Sequence, residues 1–74
     1  MKIKSVTKAI SAIEQAMADV EEARDKVQNT YDDRSDKWRE GEAGEKMQEV
    51  IDNLQYGYDS LESAKDYLEN ANEE

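Results

Sequence analysis

Cysteine, proline, histidine and phenylalanine are all missing from this chain, and its 74 residues include only three glycines and one tryptophan. Without cysteine no disulfide can staple the fold, and without cysteine or histidine no thiolate or imidazole zinc site can form. A reducing compartment is the expected setting. Long apolar runs are missing too. Met1-Lys2-Ile3-Lys4 is basic, but the apolar stretch of about seven or more residues that a secretory signal needs does not follow, nor the longer one of a membrane span. The expectation is a soluble, cytoplasmic protein with no membrane partner.

Positive charge is also scarce. Ten Lys and Arg stand against 19 Asp and Glu, a net charge of −9. That balance disfavours direct binding to nucleic acid or to an anionic membrane, and favours protein partners with basic or mixed surfaces. The acidity is concentrated late. Lys2, Lys4 and Lys8 are the only charges before Glu14, whereas Met47 to Glu74 carries eight carboxylates and the single Lys65.

What the chain does have is helical periodicity. Val6, Ile10, Ile13, Met17, Val20, Arg24, Val27 and Tyr31 alternate spacings of four and three, as do Met47, Ile51, Leu54, Tyr58, Leu61, Lys65 and Leu68. Each run is the apolar seam of a long helix, broken once by a polar residue. Arg24 and Lys65 either set register at some cost in stability or snorkel to the surface. The spacing predicts a single domain, 1–74, with helices over about 4–31 and 44–71 and a connector over about 32–43. Ser5 is the expected N-cap of the first helix, and Ser35 of any helical turn inside the connector.

Small residues stand one step before each seam: Ala9, Ala16 and Ala23 in the first run, and Ala43, Gly57, Ala64 and Ala71, with Val50 among them, in the second. This pattern lets two antiparallel helices approach closely. Such packing would give Gly57 a purpose, since glycine in a helix interior otherwise costs about 1 kcal/mol relative to alanine; the other reading is that Gly57 is simply tolerated. The fold class expected is all-α, an antiparallel helical hairpin. Two helices cannot enclose an apolar interior alone, so pairing of two hairpins into a homodimeric four-helix bundle is also expected.

Catalytic and metal chemistries fail on residue type. Asp32, Asp33, Asp36, Glu40 and Glu42 cluster in the connector. An EF-hand loop starting at Asp32 would need Asp or Asn at Arg34, Gly at Lys37 and Glu at Ala43. Di-iron bundles require Glu-x-x-His pairs. A carboxylate acid/base pair needs a pocket that separates its pKa values, and a hairpin offers little concavity. "GEAGEK" lacks the spacing of a phosphate loop. No catalytic residue, cofactor or metal is assigned, and the chain is expected not to be an enzyme.

One surface pattern remains. Glu45, Asp52, Asp59, Asp66 and Glu73 recur every seven residues, with Glu49, Glu62 and Glu69 beside them. They form a negative stripe away from the seam, either a solvated face or a partner-binding surface. At one net charge per about 6 Å of helix the stripe is sparse beside duplex DNA, which carries one per about 1.7 Å. Trp38, in the polar connector, and Tyr56, on the acidic face, are candidate contact anchors. Trp38 has a second reading, as a cap folded over the open end of the hairpin.

The stretch "YDDRSDKWREGEAGEKMQEVIDNL", Tyr31 to Leu54, resembles a pattern in small acidic proteins of bacteriophages and prophages, through Ser35, Lys37, Trp38 and Gly44. The match covers about a third of the chain. It implies a phage origin, and the many inhibitors of host machinery among phage proteins of this size, anti-CRISPR and other anti-defence proteins included, imply a binding function against a host defence or nucleic-acid-handling protein. A structural or assembly hairpin is the alternative. Tyr58 and Glu62 are also similar to the Tyr-x-x-x-Asp/Glu ending of WXG-type secreted hairpins, but Trp38-Arg39-Glu40 lacks the glycine of that family.

Overall fold

A computed structural model describes residues 1–73. It is all-helical: α1 spans Lys4–Asp32, α2 spans Asp36–Glu40 and α3 spans Glu42–Glu73. At 1.5 Å per residue the 29 residues of α1 and the 32 of α3 are roughly 44 and 48 Å long. Laid antiparallel, they make a rod of 55 × 14 × 12 Å.

Two polar contacts set the register of the hairpin. Asn72 Nδ2 donates to Thr7 Oγ1 at 3.0 Å, and Arg24 Nη1 donates to Gln55 Oε1 at 2.5 Å. From Thr7 to Arg24 is 17 residues, and from Asn72 back to Gln55 is also 17, so the helices run in step without stagger. Arg24 also stands over the Tyr58 ring, 6.0 Å from its centroid. It thus joins the two helices, while Lys65 reaches Glu69 of its own helix at 3.7 Å.

The seam follows the apolar periodicity, and it is thin. Ile10, Ile13, Met17 and Val20 of α1, and Met47, Leu54, Tyr58, Leu61 and Leu68 of α3, are half-buried. Among the described residues Ile51 is the one buried apolar side chain, at 6 % exposure. Two cylinders touch along one line, so the seam side chains other than Ile51 keep a flank in solvent. A compact globule of 8.5 kDa would expose about 4,650 Å². This hairpin exposes 5532 Å².

The termini are closed by a residue that local pattern does not pick out. Asn72 is 4 % exposed. Its Oδ1 accepts the Ile3 backbone N–H at 3.0 Å while its amide donates to Thr7. Ile3, not Ser5, is the N-cap of α1, and it has no capping side chain of its own; Ser5 lies inside the first turn. The acceptor for the N-cap N–H, which the N3 Glu or Gln of a capping box would supply, comes from the far helix instead.

The connector carries α2. Ser35 Oγ accepts the Trp38 N–H at 3.2 Å and caps it. Arg39 lies over Tyr31, 5.8 Å from the ring centroid, donates to the Asp32 carbonyl at 3.4 Å and pairs with Asp36. The turn seats α2 on Gly44, which is buried. A β-carbon there would lie 2.6 Å from Arg39 Cα and 2.5 Å from its carbonyl carbon, closer than atoms can pack. Gly44 is therefore the glycine that close packing requires.

Gly57 is not. It is exposed, and a β-carbon on it would meet nothing within 4 Å. Ala43, Val50 and Ala71 are exposed as well, and of that column only Ala64 is half-buried. The expected close approach of α1 and α3 through small residues is thus corrected at Ala43, Val50, Gly57 and Ala71, which face outward, whereas Ala9, Ala16 and Ala23 of α1 are half-buried.

Candidate functional site

In an antiparallel pair, equal rotations about the two helices lead to the same side of the hairpin, because the chain direction reverses between them. Residues one step after the seam therefore share one side, and residues one step before it share the other.

The first side is acidic. One step after the seam stand Glu14, Glu21 and Asp25 in α1, and Asp52, Asp59, Glu62, Asp66, Glu69 and Glu73 in α3; all are exposed. Glu45 and Glu49 are exposed too and continue the row toward the tip. The carboxylates are ordered from their own helix: Gln48 Nε2 donates to Asp52 Oδ1 and Gln55 Nε2 to Asp59 Oδ1, both at 3.0 Å. Since Gln55 also accepts from Arg24, Asp59 ends a chain of contacts that begins on the opposite helix. Like charges three or four residues apart, such as Asp59 with Glu62 and Glu62 with Asp66, each destabilise the helix by a few tenths of a kcal/mol. Tyr56 is 67 % exposed beside this row, four residues after Asp52 and three before Asp59.

The second side carries few charges, with Asp19, Lys26 and Lys46 one step before Val20, Val27 and Met47. It carries Ala9, Ala16 and Ala23 from α1 and Val50, Gly57, Ala64 and Ala71 from α3, with the outer flanks of Ile13, Val20, Leu61 and Leu68 between the two columns. At the tip it opens into an apolar groove of ≈ 390 Å³ lined by Val27, Trp38, Ala43, Lys46, Met47 and Val50. Lys46 is tied to Glu42 at 3.5 Å. Trp38 is half-buried, with the Arg34 guanidinium 5.0 Å from its ring centroid. The tryptophan thus forms one wall of a groove at the tip that Val27 of α1 and Met47 of α3 also line.

A smaller cleft of ≈ 290 Å³ lies at the termini, between Lys2, Thr7, Ile10, Glu69, Asn72 and Glu73. Its Asn72 and Thr7 belong to the clamp that joins the two chain ends. Among the described residues no three or more His, Cys, Asp or Glu side chains converge so as to hold a metal ion, and no helix is long and apolar enough to cross a membrane. The periodicity contains Asn72, four residues beyond Leu68 in the seam, and a polar residue at that position is the signal for it in the sequence. Gly44 and the groove residue Val50 carry no such mark, since both depend on what packs beside them.

Comparison of the chain with protein-family models, with curated proteins and with solved structures yields no match.

Proposed function

We propose that this protein is a non-enzymatic, acidic protein-binding module that works as a homodimeric four-helix bundle against a partner with a basic or mixed surface. The observation that supports this most directly is the segregation of charge. Carboxylates fill one side of the hairpin along α3, although their mutual repulsion destabilises that helix, and the other side has Asp19 as its single carboxylate among the described residues. A chain selected only for solubility gains nothing from sorting its charges this way.

In this reading the acidic side meets the cationic surface of a nucleic-acid-handling or defence protein in the cytoplasm of a bacterial host, and the protein is a phage-encoded inhibitor of the anti-CRISPR or wider anti-defence kind. It acts by occupying that surface, with Tyr56 as an aromatic contact inside the acidic row. The open apolar side also favours a second reading, an assembly module whose carboxylates keep it dissolved.

The two readings separate on the carboxylates. Asp52→Asn, Asp59→Asn and Asp66→Asn together should leave helicity intact, because asparagine preserves an acceptor for Gln48 and Gln55. For a charge-reading inhibitor, the triple variant should capture its host target at least tenfold less well at low ionic strength and lose the salt dependence of binding. Unchanged capture at low salt would remove the acidic side from the mechanism and leave the assembly module.

A further inference from the structure

The sparsely charged side of the hairpin has an area, a polarity and a distribution of end charges that together specify its occupant. We infer that it docks a second copy of this chain in antiparallel orientation, tip against termini, with the two-fold axis passing near Gly57. The inference rests on the dimeric reading above and adds to it the face and the direction.

Area comes first. The hairpin exposes 5532 Å², roughly 900 Å² more than a compact globule of its mass would. A stable protein interface removes about 800 Å² from each partner. One interface of ordinary size, formed once per chain, therefore accounts for the excess.

Polarity selects the face. Docking through the acidic side would bring the Asp52, Asp59 and Asp66 row of one chain against its own copy. The opposite side presents Ile13, Val20, Leu61, Leu68 and the exposed Val50, 47 % accessible, with Asp19 as its single carboxylate among the described residues. Gly57 lies near the middle of α3 with open space where a β-carbon would be, so a partner helix can approach closest there.

End charges select the direction. Asp32, Asp33, Asp36, Glu40 and Glu42 are exposed at the tip, where Arg39 pairs with Asp36 and Lys46 with Glu42, and Lys2, Lys4 and Lys8 are exposed at the other end, with Glu69 and Glu73 beside Lys2. Tip beside tip would juxtapose the two carboxylate clusters. Tip beside termini sets each cluster near the partner's lysines and lays the partner's terminal apolar residues toward the Trp38 groove.

The chain has no cysteine, so a single one can be placed at will. Glu40→Cys, spin-labelled at the tip, should give an interchain distance of about 40 Å or more, near the length of a helix of some 27 residues. Tip-to-tip packing would give about 25 Å or less, two helix spacings of 8–10 Å and a label. Gly57→Arg should keep its helicity, since nothing lies within 4 Å of its β-carbon, and should weaken the dimer on the order of 100-fold, the loss typical of a charge forced into an interface centre. Glu62→Arg, on the acidic side, should leave the dimer intact. Light scattering at twice the 8.5 kDa chain mass, a long tip distance and a monomeric Gly57→Arg support the inference. A monomer at high micromolar concentration overturns the dimeric reading itself. A dimer with a short tip distance, or one that survives Gly57→Arg, overturns the face or the direction and leaves the dimer standing.

Discussion

Replacing Gly44 by alanine tests whether α2 is truly seated on α3. Within α3 alone the change is favourable, since alanine is about 1 kcal/mol better than glycine in a helix interior. Against α2 it is not. The new β-carbon would stand 2.6 Å from Arg39 Cα and 2.5 Å from the Arg39 carbonyl carbon, both main-chain atoms that cannot swing aside. Reaching ordinary contact requires α2 to lift by roughly 1 Å. That movement disturbs the Arg39 contacts to Asp32 and Tyr31 and withdraws Trp38 from the groove it shares with Val27 and Met47. Overpacking of this kind costs about 2–3 kcal/mol, and after the helix-propensity gain about 1–2 kcal/mol of destabilisation remains. For a chain of this size the thermal midpoint should fall by roughly 5–15 °C, followed by circular dichroism at one protein concentration, and Trp38 emission should shift to the red. The control is Gly57→Ala, diluted until monomeric, where the same methyl meets nothing and the midpoint should rise. A Gly44→Ala variant that melts at or above the parent with unaltered emission would refute the seating of α2.

The remaining predictions concern single side chains. Asn72→Ala removes the acceptor of the Ile3 N–H and the donor to Thr7 and should destabilise by about 1–2 kcal/mol, as loss of a helix cap does; hydrogen exchange should show the first turn of α1 fraying, and protection equal to the parent would dismiss the clamp. Trp38→Ala should lower stability by about 1–2 kcal/mol, less than the 3–5 of a fully buried tryptophan, because the ring is half in solvent; a melt unmoved by the change would make Trp38 a contact residue alone.

Much of this protein follows from spacing along the chain. The alternation of four and three in Ile10, Ile13, Met17, Val20 and in Met47, Ile51, Leu54, Tyr58 specifies two long helices and the stripe each one buries, because helical periodicity is a local property. Ser35 as a cap and the acidic row from Glu45 to Glu73 are legible for the same reason, each needing only residues within a few turns. Tertiary structure decided the rest. Asn72 holds Ile3 from 69 positions away, and Arg24 finds Gln55 across 31; no window along the chain contains either pair. Gly44 and Gly57 sit in similar helical sequence, yet one lies under the Arg39 main chain and the other faces open space. The small residues of α3 were periodic enough to imply a packed face, but not which neighbour packs there. That depended on how antiparallel docking turns the helices: the large seam side chains take the interior of the hairpin, and the column one step before them is left on its apolar side.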